Sequence, residues 1–273
     1  MSFEFFLKSH FSSLYDSYSL ERFAENSGEL KPKSILDKKP KSVIQSCQSK
    51  IDELSTKISD LSDTHPAKEY LNKRCIPKSF YELLYYADDF RKLVLDLFPN
   101  TTSNLYKDDP RIVIPFFNEN DVLIGLQGRS LIANSQIRYI TIKDDGQPSM
   151  IYGLDRFDSK RPGYVVEGPI DSMFLPNCLA TANSNLEMAT NRIGSDLTLI
   201  YDNEPKNKEI VRLIEQSINH NRKVCIWPKS ILQKDINDMI LSGIPSANLI
   251  SLIESRTFSG LSAQLEFNQW KKV

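Results

Sequence analysis

The sequence predicts an α/β fold: a mostly parallel sheet flanked by helices, preceded by a mixed helical and antiparallel part and followed by short C-terminal helices. Two observations indicate this. After Gly163, short apolar runs alternate with helical segments, which is the pattern of parallel strands joined by crossover helices. In addition, three acidic clusters follow apolar runs, at residues 167–171, 202–204 and 235–238.

The acidic clusters recur at the spacing of β/α units, with 35 residues from Glu167 to Asp202 and 33 from Asp202 to Asp235. A strand, a helix and two turns take about 30 residues or more. Parallel neighbours would therefore bring the carboxylates together at the carboxyl edge of the sheet, where such sheets bind ligands. Crowded carboxylates resist ionisation unless a cation is present. Oxygen-rich sites suit Mg²⁺ or Mn²⁺, which predicts metal-assisted chemistry on phosphates.

Composition and charge fit an ordinary globular protein. The 273 residues carry a formal net charge of −1, so no global positive field attracts nucleic acid. Residues 31–41 combine five lysines with two prolines, which favours a solvated linker over a nucleic-acid arm. No apolar run reaches the roughly 20 residues that span a bilayer. No signal peptide is visible either, so we expect a cytoplasmic protein.

Cysteine usage argues against a structural zinc site. The four cysteines are not paired at the spacing of zinc ligands, and neither are the three histidines. Cys225 lies in an apolar run and is expected in the core. We therefore expect no zinc in this chain.

In the N-terminal half, apolar residues recur at helical spacing over residues 1–26, leaving a wide aromatic face, and residues 27–41 read as a linker. Further helices are predicted over residues 42–62, 65–76 and 78–98. Three strands then follow, predicted at residues 111–117, 122–129 and 136–143. The Asn and Asp residues of 118–121 favour a tight turn, which makes this part an antiparallel subdomain.

In the C-terminal half, strands are predicted at residues 164–167, 178–182, 197–201 and 224–227. Helices are predicted at residues 170–176, 184–193, 206–220 and 235–243, and the tail at 246–271 reads as two short helices. We expect four parts along the chain: a helical segment with linker at 1–41, a mixed helical and antiparallel subdomain at 42–160, an α/β domain that carries the acidic clusters at 161–243, and a helical tail at 244–273.

The acidic motifs resemble a known family. Glu167-Gly168-x-x-Asp171 followed by Asp202-x-Glu204 resembles the two signature motifs of TOPRIM domains. This metal-binding α/β fold is shared by DnaG-type DNA primases, topoisomerases and some nucleases. The usual second motif is Asp-x-Asp, and here Glu204 replaces the second Asp with a side chain one methylene longer.

The upstream motifs narrow the resemblance to primases. Pro115, Gly125, Gln127-Gly128-Arg129 and Arg138-Tyr139 are similar, in this order, to the basic N-terminal subdomain of primase catalytic cores. The motif at residues 65–76, including Tyr70 and Arg74, is similar to the opening helix of that core, and residues 152–155 match the turn before the Glu strand. The tail is similar to primases of tailed phages related to T4, so the resemblance covers roughly residues 65–271.

The resemblance implies roles for individual residues. Its catalytic residues and metal ligands are Glu167, Asp202 and Glu204, and Asp235 and Asp238 are further candidate ligands of Mg²⁺ or Mn²⁺. Its nucleotide- and template-binding candidates are Arg129, Arg138, Lys143 and Lys229, and Gly168 and Asp171 complete the structural motif. In the same functional interpretation, Glu167 could instead act as a general base on the attacking 3′-hydroxyl. Simpler structural interpretations stay open: Glu167 as a helix N-terminal carboxylate, Asp202 and Glu204 as an ordinary turn, Asp235 as a helix cap, and the basic residues as surface charges.

The implied function is synthesis of short RNA primers on single-stranded DNA from ribonucleoside triphosphates in phage replication, with a hexameric replicative helicase as partner. The cysteine pattern lacks the zinc-binding module of this family, so we expect a separate zinc module, a truncated reading frame or a misassigned start site. Two alternatives stay open: a TOPRIM nuclease, and a catalytically degenerate module that binds DNA or helicase. A topoisomerase is less favoured because no catalytic tyrosine can be assigned.

Overall fold

The structure is a computed structural model that describes residues 50–101, 105, 109–144, 149–194 and 196–273. The described residues belong to one structural unit, Ser42–Val273, and contain two five-stranded sheets that follow one another in the sequence. The predictions for residues 1–41, including the aromatic helix and the lysine-rich linker, lie outside this part. None of the described helices is long and apolar enough to cross a membrane.

The first sheet is antiparallel and runs in the order β1-β2-β3-β4-β5. Its strands are β1 (Thr56–Lys57), β2 (Tyr85–Ala87), β3 (Arg111–Phe117), β4 (Leu123–Ser130) and β5 (Tyr139–Lys143). The β3–β4 hairpin closes through Asn118, whose Oδ1 accepts hydrogen bonds from the backbone N–H groups of Asn120 and Val122. The predicted Asn/Asp turn therefore forms, and it sets the register of the two longest strands.

Both faces of β3 are covered. Ile112, Ile114 and Phe116 lie in the core that is shared with the second sheet. Val113 points the other way, into a smaller cluster with Phe90. This explains why the strand reads as an unbroken apolar run rather than an alternating one.

Two of the described α-helices lie between strands of the first sheet along the chain. Helix α1 (Pro66–Lys73) begins after His65, whose Nδ1 accepts a hydrogen bond from the backbone N–H of Ala67. Helix α2 (Phe90–Leu97) begins after Asp89, whose carboxylate caps the N–H of Lys92. Short 3₁₀ turns lie at Ile58–Asp60, Lys78–Phe80 and Leu154–Arg156.

The second sheet is mostly parallel and runs in the order β10-β9-β8-β6-β7. Its parallel strands are β6 (Gly163–Val166), β7 (Cys178–Ala180), β8 (Leu197–Leu199) and β9 (Lys223–Cys225). Its helices are α3 (Pro169–Ser172), α4 (Glu187–Ile193), α5 (Lys208–Asn219), α6 (Ile236–Leu241), α7 (Ser246–Ser255) and α8 (Gly260–Trp270). The predicted fold class is confirmed.

Two predicted helices of the N-terminal half are wrong in part. Of residues 42–62, the described part is helical only at 50–54 before β1 and a 3₁₀ turn replace the helix. Residues 78–98 contain β2 and only one α-helix, α2. Here Tyr85 and Ala87 are buried while Tyr86 is half-buried, and β2 pairs with β3 along its length. Pairing with a neighbouring strand outweighs the local helical spacing.

The C-terminal tail forms two helices, as predicted, but a short strand separates them. Strand β10 (Thr257–Phe258) pairs antiparallel with β9, where Thr257 lies opposite Cys225. A strand of two residues is too short to show the alternation of apolar and polar residues by which strands are predicted, so the sequence did not indicate it. It extends the parallel sheet by one antiparallel edge and fastens α8 beside α5.

A buried ion pair fixes the start of β3, the central strand of the first sheet. Arg111 is completely buried, and its Nε donates to Asp109 Oδ2 at 2.7 Å. Its remaining donors reach the carbonyl oxygens of Gly128 (2.9 Å) and Ile137 (3.0 Å). Asp109 also accepts from Ser130 Oγ at 3.1 Å. The charge of the guanidinium is therefore matched on every side.

We expect Asp109→Asn to destabilise the protein by about 3–5 kcal/mol, because it leaves the Arg111 charge buried without its counter-charge. Urea unfolding followed by circular dichroism measures this change. Asp196→Asn is the matched control, since Asp196 pairs with Lys223 where both side chains are about half exposed. The control should change stability by less than about 1 kcal/mol. Equal effects of the two variants would show that the buried pair is not a stability determinant.

Candidate metal centre

The parallel register brings the first two acidic clusters to one edge. Val165 on β6 pairs with Leu199 on β8, so the segments that leave these strands run side by side. Glu167 follows β6, and its Oε1 accepts a hydrogen bond from the backbone N–H of Asp202 at 3.3 Å. Its Oε2 accepts from the Ser184 hydroxyl at 2.8 Å. Glu167 is therefore oriented from two sides at the carboxyl edge of the sheet.

Asp171 completes the first motif from helix α3. Its Oδ1 accepts the backbone N–H of Asn237 at 2.9 Å, which joins the first acidic cluster to the third. Burial raises the pKa of Asp171 to about 7, and repulsion by Asp235 adds to the rise. Gly168 makes room for it, since a Cβ at that position would lie 2.6 Å from Asp171 Oδ2.

These carboxylates share one cavity, which we call the acidic cleft. It has a volume of about 330 Å³, and its lining includes Glu167, Asp171, Asp202 and Asp235. Gln127 and Tyr139 of the first sheet line its other side. Burial raises the pKa of Asp202 to about 8, with Glu167 and Asp171 as the next causes. Burial also raises the pKa of Asp235. The cleft thus has an excess of negative charge that a cation would relieve.

Glu204 lies beside the cleft and is paired with a lysine. Lys234 Nζ lies 3.3 Å from Glu204 Oε2 and 3.5 Å from Asp202 Oδ2. Partial burial opposes protonation of this amine, but the Asp202 and Glu204 carboxylates raise the pKa of Lys234 on balance. Both carboxylates of the second acidic motif, Asp202 and Glu204, therefore form ion pairs with the same ammonium group.

The two carboxylates of the third cluster take different positions. Asp235 lines the cleft, and it also caps helix α6 by accepting the Asp238 N–H at 2.7 Å, as the simpler interpretation expected. Asp238 is half exposed and is not among the cleft-lining residues; its Oδ1 lies 4.0 Å from Arg74 Nη1. Asp238 remains close enough to the cleft for its charge to raise the pKa values of Asp171 and Asp235.

The oxygen donors of the cleft fit a hard divalent cation such as Mg²⁺ in their chemistry. In the structure, however, these carboxylates do not point toward one common position. No three Asp, Glu, His or Cys side chains within the described ranges surround one point as ligands of a single ion. Instead, hydrogen bonds hold Glu167 and Asp171, and Lys234 holds Asp202 and Glu204.

The basic candidates separate into two groups. Arg129 on β4 lies over the rings of Tyr70 and Tyr139, each 5.1 Å from its guanidinium carbon, and its Nε donates to Tyr70 Oη at 3.0 Å. Arg129 and the exposed Arg138 line a cavity of about 460 Å³, which we call the basic groove. Lys143 and Lys229 are exposed and line neither this groove nor the acidic cleft.

Arg74 and Asn237 were missed as site residues. Arg74 Nη1 donates to Asn237 Oδ1 at 2.8 Å, and Asn237 Nδ2 donates to the Arg74 carbonyl at 2.7 Å. The pair ties the end of α1 to α6, next to the cleft. Arg74 did stand in the motif at residues 65–76, but nothing in the sequence assigns it a partner 163 positions away.

Comparison with known proteins agrees with this architecture. No family model matches the chain. The chain is 29% identical over 276 residues to the DNA primase of Enterobacteria phage T4, covering 98% of this chain and 78% of that protein. The RNA polymerase domain of Mycobacterium tuberculosis primase DnaG superimposes with a TM-score of 0.58 at 15% identity, covering 79% of this chain and 84% of that chain. The fold is that of a DnaG-type primase catalytic core.

A DnaG primase catalytic domain solved bound to single-stranded DNA is equally similar. Its TM-score is 0.59 at 16% identity, covering 84% of this chain and 82% of that chain. At such identities the solved structures establish the fold, while the T4 primase extends the sequence relation over nearly the whole chain. The predicted resemblance to DnaG-type primase cores, and to primases of T4-related phages, is confirmed.

We expect Asp202→Asn to raise the melting temperature of the metal-free protein by a few degrees, at roughly 2–4 °C per kcal/mol for a chain of this size. The raised pKa means that ionised Asp202 costs folding energy, and the amide removes that charge. Scanning calorimetry in a chelating buffer measures the change, with Asp196→Asn as the exposed control. A lowered melting temperature in Asp202→Asn would contradict this account of the cleft.

Proposed function

We propose that this chain is a DNA primase catalytic core, a nucleotidyltransferase that synthesises short RNA primers on single-stranded DNA during phage replication. The observation that carries the proposal is the acidic cleft, in which Glu167, Asp171, Asp202 and Asp235 face Gln127 and Tyr139 of the basic subdomain. A sheet edge crowded with carboxylates, beside a groove lined by arginines, is suited to phosphoryl chemistry on a nucleic-acid template.

Glu167, Asp202 and Glu204 would hold the divalent cation, with Asp235 as a further ligand. Asp238 is the weakest of the proposed ligands, because it faces Arg74. When bound, Mg²⁺, or Mn²⁺ in its place, would neutralise the charge that develops on the attacking and leaving oxygens. Glu167 is already positioned by Ser184 and the Asp202 N–H, so its carboxylate needs little reorganisation. Gly168 and Asp171 keep this loop in place.

The basic groove would bind phosphates of the template or of the incoming triphosphate. Arg129 is held by two tyrosine rings and presents its guanidinium from a strand, while Arg138 is exposed beside it. A guanidinium can engage two phosphate oxygens at once, which suits positioning rather than base recognition. Lys143 and Lys229 would contribute only longer-range attraction, since they lie outside the groove.

The partners follow from the same proposal. The template would be single-stranded DNA, as in the DnaG domain solved with it, and the substrates would be ribonucleoside triphosphates. A hexameric replicative helicase and a separate zinc-binding module are proposed partners, acting in the cytoplasm of the host cell. We also propose the division into a segment at 1–41, a basic subdomain at 42–160, a TOPRIM domain at 161–243 and a tail at 244–273.

Primer extension tests the activity directly. We expect the protein to extend a supplied dinucleotide with labelled ribonucleotides on single-stranded DNA in Mg²⁺ or Mn²⁺. Glu167→Gln and Asp202→Asn should lose at least about 100-fold in rate, in the range for removing one group that stabilises charge in a transition state.

Three other outcomes separate the alternatives. Synthesis that occurs only with the dinucleotide would place initiation with a separate zinc module. Degradation of the DNA without synthesis would indicate a TOPRIM nuclease. Binding to DNA with neither reaction, and no effect of Glu167→Gln, would indicate a degenerate binding module.

We expect Arg138→Met to weaken binding to single-stranded DNA of any sequence. Loss of one phosphate contact should reduce the slope of log K against log salt by about 0.7. Fluorescence anisotropy at several salt concentrations measures this slope. Arg212→Met is the matched control, because Arg212 is exposed on α5 and donates to Gln216 on the same helix. An unchanged slope in Arg138→Met would remove Arg138 from the template-binding set.

A further inference from the structure

Lys234 is a basic side chain that no sequence motif singled out. We propose that its ammonium group competes with the divalent cation for the Asp202–Glu204 pair, so that the metal must displace it. The inference rests on the proposed metal centre and concerns how that centre is loaded. Lys234 is accordingly a competitor of the metal rather than one of its ligands.

The ammonium group of Lys234 contacts both carboxylates of the second acidic motif. Its Nζ lies 3.5 Å from Asp202 Oδ2 and 3.3 Å from Glu204 Oε2, so one positive charge is shared by two carboxylates. A divalent cation bound to the same oxygens would lie next to the ammonium group and repel it. Metal and lysine therefore exclude each other at this pair.

The backbone around Lys234 is fixed to the metal motif itself. The Asn203 N–H donates to the Lys234 carbonyl at 2.6 Å, and Asn203 Nδ2 donates to the carbonyls of Ile231 (3.0 Å) and Gln233 (3.1 Å). Trp270 Nε1 in turn donates to Asn203 Oδ1 at 3.0 Å. The residue between Asp202 and Glu204 thus anchors the loop that carries the lysine.

The side chain of Lys234, in contrast, can move away from the two carboxylates. The Lys234 side chain is 53% exposed, so its ammonium group can move into solvent without opening the fold. The two arginines nearest the cleft are engaged elsewhere, since Arg74 is bound to Asn237 and Arg129 lies over two tyrosine rings. Across the residues that the structure describes, Lys234 is the single cation within 4.0 Å of either carboxylate. Lys234 therefore has a fixed backbone and an ammonium group that a metal ion can displace, as competition for these carboxylates requires.

Titration of the full chain with Mn²⁺, followed by calorimetry and by the electron paramagnetic resonance of free Mn²⁺, tests the inference without any turnover. We expect Lys234→Met to bind Mn²⁺ at least about fivefold more tightly, the lower end of typical coupling between two ligands. Lys234→Arg keeps the charge and should stay close to the unmodified protein. Lys223→Met, which removes an exposed lysine paired with Asp196, should also leave the affinity unchanged.

The outcomes distinguish this inference from the metal centre on which it rests. Mn²⁺ binding that is lost in Glu167→Gln but is equal or weaker in Lys234→Met would overturn the competition and leave the metal centre standing. Absence of any Glu167-dependent Mn²⁺ binding would overturn both. A gain in affinity in both Lys234→Met and Lys234→Arg would also overturn the inference, because charge would then not be the cause. Circular dichroism confirms that each variant is folded.

Discussion

The main constraint on this structure is the crowding of carboxylates at one edge of the parallel sheet, where they repel each other. The register of β6 and β8 forces Glu167 and Asp202 together, and the loops add Asp171 and Asp235. Hydrogen bonds from Ser184 and from the backbone N–H groups of Asp202 and Asn237 offset part of the cost. They do not remove it, since the pKa values of Asp171 and Asp202 remain raised to about 7 and about 8.

The buried Arg111–Asp109 pair differs from the acidic cleft in how its charge is balanced. Arg111 is enclosed by Asp109 and backbone carbonyls, so each of its charged donors has a partner and the group is closed. The acidic cleft has more negative than positive charge and opens to a cavity. A matched buried charge maintains a structure, whereas unmatched carboxylates next to a cavity cost stability and are candidates for binding a cation.

The two sheets are joined where the chemistry is proposed to occur. The Arg74–Asn237 hydrogen bonds connect α1 to α6, and Phe116 packs edge-on against Tyr152 with ring centroids 5.6 Å apart. These contacts place Gln127 and Tyr139 of the first sheet across the cleft from the carboxylates. The basic groove and the acidic cleft are thereby held by one continuous core, so a template and a metal would meet at a fixed distance.

The sequence by itself determined that acidic residues end successive strands, and the near-constant spacing predicted that Glu167 and Asp202 meet, because parallel strands share a carboxyl edge. It also determined the β3–β4 hairpin through its Asn/Asp turn. Only the tertiary structure decided that residues 85–87 form a strand, because an apolar run of that length fits both a helix and a strand until β3 pairs with it. Only the tertiary structure turned Asp238 toward Arg74 and Lys234 toward Asp202 and Glu204. Side-chain directions in loops depend on partners far away in the sequence, so the local spacing of apolar and polar residues does not predict them.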